Sequence, residues 1–242
     1  MNRFIKKTTK KKDFKEFYNS TIFSKIYRTN GWGGKKGEFY SGSGSHNPSI
    51  KGYTKAVANF ILENNVHDIV EIGCGDFNVS NGILTALNEV KRDYNYTGYD
   101  VVKPLIARNR ALFSSSKINF VCKDSSVGNI KSGDLLIIRQ VLQHLNNKSI
   151  GQIAAKFKNY KYIIFTEHQA SEKYGNAIAH NKDQVTGKET RLANRSGVYL
   201  DREPFNCRIE AKLFAINEWV YGLDANINTY LVKNITSKQE AK

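Results

Sequence analysis

The sequence predicts an α/β fold, a doubly wound and mainly parallel seven-stranded sheet with helices on both faces, preceded by an N-terminal helical arm. Three observations predict it. Between residues 66 and 167, short runs rich in Val, Ile and Tyr alternate with runs of helical period, the pattern of parallel strands joined by crossover helices. Glycines and carboxylates cluster just after those runs, where open parallel sheets collect ligands. Two further strand-like segments close the chain beyond a polar stretch.

The elements follow in order. Residues 13–28 place Phe14, Phe17, Tyr18, Ile22, Phe23 and Ile26 at three- and four-residue steps, which predicts an amphipathic helix. Residues 29–47 hold six glycines and read as a loop. A plain linker does not need Trp32, Phe39 and Tyr40, so this loop is expected to pack on, or close over, something. Pro48 suits the first turn of a helix to about Asn64, with Val57, Phe60 and Ile61 inward. Strands are expected at 66–73, 94–100, 118–124, 134–140 and 160–167, helices at 79–90 and 104–113, and a helical stretch from about 141 to 159. Residues 168–205 form a polar, charged insertion, and 208–216 and 228–234 read as an antiparallel closing pair joined by NEWVYGLDANI.

Composition bounds the function. The 242 residues carry 37 Lys and Arg against 22 Asp and Glu, a formal charge of +15. Residues 1–36 hold 11 of the cations and only Asp13 and Glu16. A basic arm therefore precedes a mildly basic body, and the chain divides into residues 1–47 (arm, helix and Gly-rich aromatic loop) and a main domain over 48–242. No stretch approaches the roughly 18 apolar residues of a membrane span. Cys74, Cys122 and Cys207 form no CxxC pair, so neither a disulfide framework nor a metal site is expected. The start has positive charge but no apolar run behind it, so a cytoplasmic location is expected.

The sharpest motif is Glu71-Ile72-Gly73-Cys74-Gly75-Asp76, directly after the first strand. Its glycines let the backbone approach a ligand, and Glu71 can accept hydrogen bonds from an ammonium or hydroxyl. Neither G-x-G-x-x-G nor a P-loop pattern is present, and a carboxylate beside the turn would repel a pyrophosphate. Asp100 ends the second strand, where an acid commonly reads ribose hydroxyls, and Asp124 follows the third, placed to accept from an exocyclic amine. Together these describe an adenosine bearing an amino-acid-like tail.

With these residues the chain resembles the class I S-adenosylmethionine-dependent methyltransferases, a Rossmann-like family, over about residues 48–167 plus the closing strands. More narrowly, GSGS (42–45), GCGDF (73–77), RQVLQHL (139–145) and Pro204-Phe205 resemble bacterial methyltransferases of uncertain substrate, some associated with surface-glycan synthesis. Asn78 stands where many members keep a third glycine. The resemblance implies S-adenosyl-L-methionine as cofactor, held by Glu71, Gly73, Cys74, Gly75, Asp100, Val101, Asp124, Ser125 and Arg139.

Methyl transfer to oxygen usually needs a base, and the chain must hold acceptor and methyl in line. His144, after the fourth strand, is the first candidate; His168 and its neighbour Glu167, at the end of the fifth, are the second. Local hydrogen bonding is expected for His46, His67 and His180. Trp32, Tyr40, Ser45, Gln143 and Arg191 are candidate substrate contacts. The insertion's Lys173, Lys182, Lys188, Arg191, Arg195 and Arg202 suit an anionic small-molecule acceptor such as a nucleotide-linked or phosphorylated sugar. Two alternatives stand beside this reading: an RNA methyltransferase, favoured by the basic arm but lacking an RNA-binding module or an N-P-P-Y tetrapeptide, and a non-catalytic cofactor-binding module. A monomer or a dimer is left open.

Overall fold

The computed structural model describes residues 18–233. The basic segment 1–12 and the helix positions Phe14 and Phe17 lie outside the described residues. Helix α1 is described over 18–28, followed by α2 (Ile50–Glu63), α3 (Asn78–Glu89), α4 (Lys103–Phe113) and α5 (Asn147–Ala154). The strands are β1 (Asp68–Ile72), β2 (Asn95–Asp100), β3 (Ile118–Cys122), β4 (Gly133–Arg139), β5 (Tyr160–Ala170), β6 (Ala179–His180), β7 (Ser196–Gly197), β8 (Ile209–Val220) and β9 (Leu223–Lys233).

Seven strands form one sheet in the order β3-β2-β1-β4-β5-β9-β8, and β6 pairs with β7 alone. The first five are parallel to their neighbours; β9 runs antiparallel to β5 and to β8. The strand order reverses beside β1, between β1 and β4, and this switch point is where a ligand crevice opens. Alternation along the strands divides the core. Ile69, Leu135, Ile137 and Ile164 face Tyr53 and Val57 of α2 and Ile83 and Leu87 of α3. Val70, Leu136, Ile138 and Ile163 face Ile150 and Ile153 of α5. Each such side chain contributes roughly 1.5–3 kcal/mol of burial.

Three elements differ from the sequence expectation. The helical stretch after β4 is broken into a 3-10 turn (Leu142–His144), α5 and a second 3-10 turn (Phe157–Asn159). Leu145 is extended, and Asn146 caps α5 by accepting from Ser149 N at 2.8 Å, a contact worth about 1 kcal/mol. The closing strands run further than expected and absorb most of NEWVYGLDANI. Tyr221 (φ 50°) and Gly222 (φ 69°) alone turn the chain, as a two-residue hairpin requires. The β8–β9 ladder slips twice, between Ile209 and Ala211 and between Lys212 and Phe214. Finally, the polar insertion is packed: its Val198 and Leu200 are fully buried in the same core as α5.

Candidate active site

At the end of β1 the chain turns sharply. Gly73 has φ +71° and Gly75 φ +52°, values that side chains rarely adopt. A Cβ on Gly73 would lie 2.4 Å from Val141 Cγ2, and one on Gly75 would lie 2.5 Å from Ser41 Oγ. The N–H groups of Gly73 and Cys74 both donate to Tyr99 O of β2, at 2.8 and 3.0 Å. Gly75 N donates to Asp100 Oδ2 at 3.2 Å, and Val102 N to Asp100 Oδ1 at 3.0 Å. The Asp100 carboxylate is thus locked against the glycine turn. Burial pushes its pKa up to about 6.

Glu71 accepts from Ser80 Oγ at 2.7 Å and from Tyr96 Oη. Burial pushes its pKa up to about 7 against those two donors. Arg139, at the end of β4, donates to Gly44 O at 2.8 Å and lies 5.0 Å over the Tyr53 ring. Burial lowers its pKa, while the neighbouring carboxylates Glu71, Glu167 and Glu218 work in the opposite direction. Beyond β3, Asp124 Oδ1 accepts from Ser126 N at 2.8 Å and Ser126 Oγ at 2.7 Å, and Oδ2 accepts from Asn19 Nδ2 at 2.8 Å.

These groups border one cavity of about 390 Å³, within the roughly 300–1,000 Å³ of small-molecule sites. All nine residues expected to face the cofactor line it: Glu71 to Gly75 on β1 and its turn, Asp100 and Val101 after β2, Asp124 and Ser125 after β3, and Arg139 on β4. Trp32, Ser45, Gln143, His144 and His168 line it too.

The structure places three other candidates elsewhere. Tyr40 stacks on His46 with ring centroids 4.5 Å apart, and His46 bonds Asp76 at 2.8 Å, so this ring supports the loop. Glu167 is fully buried behind the cavity wall and accepts from Leu142 N at 2.8 Å; burial pushes its pKa up to about 8. Alternation along β5 turns it to the opposite face from His168. Arg191, expected to meet an anionic acceptor, is 1% exposed and donates to Leu145 O, Lys182 O and Asn147 Oδ1. Its charge is spent on the backbone that docks the insertion. Of the insertion's six cations only Lys188 lines the cavity, and it pairs with Glu189 at 3.5 Å. His67 and His180 make local contacts, with Asp93 and with the Tyr199 ring.

His168 is buried and His144 half-buried, and desolvation pushes each down to about 4, leaving a neutral imidazole at pH 7. His144 lies 5.2 Å from the Trp32 ring, facing the main chain of 187–189. His168 Nε2 lies 3.8 Å from Glu218 Oε2.

Sequence reasoning missed the part of the roof that α1 supplies. Asn19, Phe23 and Tyr27 of α1 line the cavity, and Tyr27 Oη and Ser41 Oγ are 2.8 Å apart. The same Ser41 Oγ accepts from Asp76 N at 2.8 Å. Trp32 Nε1 donates to Lys188 O at 3.1 Å, joining the Gly-rich loop to the insertion. The phenylalanine of α1 in that roof was legible only as a helix face, and Asn19 carried no signal at all. No described helix is long and apolar enough to cross a membrane.

No protein-family model and no curated protein matches the chain. Among solved structures, magnesium protoporphyrin IX methyltransferase from Synechocystis PCC 6803 with bound SAH is similar with a TM-score of 0.52 at 13% identity, covering 89% of this chain and 100% of that one. This chain has the fold of that methyltransferase. The same enzyme with bound SAM gives 0.48 at 14% identity, over 97% and 100%. The citrinin polyketide synthase CMeT domain gives 0.38 at 17% identity, over 44% of this chain and 30% of that one; the chain therefore spans less than a third of that structure. At these identities the likeness concerns the fold, here the seven-stranded sheet with β9 antiparallel between β5 and β8.

Proposed function

We propose that the chain is an S-adenosylmethionine-dependent methyltransferase that acts at oxygen or nitrogen of a small-molecule acceptor, with a glycan precursor as the candidate class. One observation carries it: the acids of three successive strands, Glu71, Asp100 and Asp124, face one cavity around a glycine turn. Unpartnered buried atoms fit the cofactor at both ends. Asn19 Oδ1, beside Asp124, is an acceptor without a donor, suited to an adenine amine. Arg139 Nε, beside Glu71, is a donor without an acceptor, suited to a carboxylate. Between them Asp100 accepts from the backbone N–H groups of Gly75 and Val102 through different oxygens, with further acceptor capacity suited to a ribose hydroxyl.

Bound there, the cofactor supplies a methyl group on a sulfonium sulfur, which leaves with the bonding electron pair. The chain's own work is positioning and exclusion of water. Gly73 and Gly75 admit the ligand to the backbone, Phe23 and Trp32 cover the opening, and a neutral imidazole, His144 or His168, takes a proton from the acceptor. An anionic acceptor draws little support from the cavity wall, where Lys188 is offset by Glu189.

Calorimetric titration with S-adenosylmethionine tests the reading. Wild type binds, and Asp100→Ala binds about 10–100-fold more weakly, as expected when hydrogen bonds to a charged group worth roughly 1.5–3 kcal/mol are lost. Absence of binding to the wild type, or equal affinity for both proteins, would sink it.

A further inference from the structure

His168 is the one candidate base whose ring is paired with a carboxylate. It lies on β5, two residues before the strand's end, in register with Ile227 of β9, which in turn pairs with Ile216 of β8. Two residues further along β8, on the same face of the sheet, Glu218 reaches diagonally over Ile227 and brings Oε2 to 3.8 Å from His168 Nε2. Nε2 is shut off from solvent and has no hydrogen-bond partner, so of the two ring nitrogens it is the one directed into the protein, at the carboxylate. Asn47 Nδ2 donates to the other oxygen, Oε1, at 3.4 Å and so helps to orient the carboxylate. Both side chains line the cavity. Arg139 of β4 is the other charged group acting on Glu218.

We propose that Glu218 is a positioning residue: it holds the proton of neutral His168 on Nε2, so that the lone pair on Nδ1 is the proton acceptor for a hydroxyl acceptor. The inference rests on the methyltransferase reading and adds the residue that selects His168 over His144. A neutral imidazole has one N–H, and a carboxylate facing one nitrogen fixes which nitrogen carries it. At 3.8 Å the contact is longer than a hydrogen bond, as such pairs often are before a substrate is in place. In the reaction the acceptor oxygen would form its bond to the methyl carbon as the methyl–sulfur bond breaks with its electron pair left on sulfur, and the O–H proton would pass to Nδ1, its bonding electrons staying on oxygen. The ring then carries a positive charge opposite the Glu218 carboxylate. His144 faces the main chain of 187–189, and the Glu189 carboxylate acts on it without pairing with a ring nitrogen, whereas at His168 the carboxylate oxygen lies 3.8 Å from Nε2.

The test is the tautomer, read by long-range ¹H–¹⁵N spectra of the full chain labelled at histidine nitrogen, with His168→Gln identifying the signal. Wild-type His168 is expected to be protonated on Nε2 at pH 7. Glu218→Met, which removes the acceptor at similar length, lowers the Nε2–H fraction several-fold; Glu218→Gln, which keeps an oxygen there, restores it. A wild-type proton on Nδ1 overturns the proposal without any variant, as does a Met variant with the wild-type tautomer. The parallel calorimetry with S-adenosylmethionine keeps the two readings apart. Failure of the cofactor to bind overturns the methyltransferase reading and the proton-acceptor role with it, whereas binding together with the wrong tautomer overturns the pairing alone.

Discussion

Asn19 of α1 and Asp124 beyond β3, separated by 105 positions in the chain, are joined by a buried 2.8 Å hydrogen bond. It ties the N-terminal helix to the segment beyond β3 at the cavity, beside Ser20 Oγ, which donates to Val101 O at 3.0 Å. Removing the donor leaves a buried carboxylate with fewer partners, at a cost of about 1–3 kcal/mol. Asn19→Ala is therefore expected to lower Tm by about 3–8 °C in calorimetry, and to weaken S-adenosylmethionine binding in titration. An unchanged Tm would show that the other contacts of α1, those of Ser20, Tyr27 and its apolar face, hold it without this bond.

Gly73→Ala meets two penalties at once, the positive φ and the 2.4 Å approach to Val141 Cγ2. Together they are expected to cost about 2–4 kcal/mol, read as a lower urea midpoint at unchanged slope. Adding Val141→Ala relieves the overlap and leaves the φ penalty, so it recovers only part of the loss. Full recovery would mean that the backbone conformation is not constrained there.

Arg191→Met separates docking from substrate contact. Leu145 O, Lys182 O and Asn147 Oδ1 lose their donor, at roughly 2–4 kcal/mol in total, and hydrogen exchange quickens over 179–197. Cofactor affinity stays within about twofold, because Arg191 itself does not line the cavity. Wild-type stability in this variant would return Arg191 to the list of acceptor contacts.

Glu167 gives a pH signature. Its pKa rises from 4.5 to about 8 on folding, so the folded chain binds the extra proton and its stabilising contribution is complete at low pH. That contribution is lost as pH climbs through the window up to about 8. Glu167→Gln keeps an acceptor for Leu142 N without a proton to lose. The Tm difference, variant minus wild type, is thus expected to grow from about pH 5 to about pH 9. A difference that is flat with pH contradicts the burial-driven shift.

How far the sequence could be read depended on which groups bury which. The stretch 66–167 was legible because β-branched runs and helical runs bury different periods, and the acids at strand ends fall where parallel sheets open. The tip of the closing hairpin was not. Asn217, Glu218 and Asp224 look like turn residues, yet only Tyr221 and Gly222 turn, and Glu218 lies on the part of β8 that runs beyond the expected strand end at 216. The insertion was misread for the opposite reason. Its polar residues signalled solvent, whereas Arg191 and Asn181 are buried as donors to main-chain carbonyls. Such pairing exists only in three dimensions, and no residue spacing announces it. The same holds for Asn19, whose partner Asp124 lies beyond three intervening strands of the chain.

The two slips in the β8–β9 ladder bear on how molecules of this chain meet one another. β8 is the outermost strand of the sheet, 12 residues long, and a strand of that length on a rim is a template to which another copy could add. Where the ladder slips, the row of outward N–H and C=O groups loses its even spacing, and a straight strand laid alongside would find its bonds out of step. Lys212, exposed between the slips, adds a charge that an incoming copy would have to bury. At those two slips the rim is thus a poor match for a straight strand laid against it.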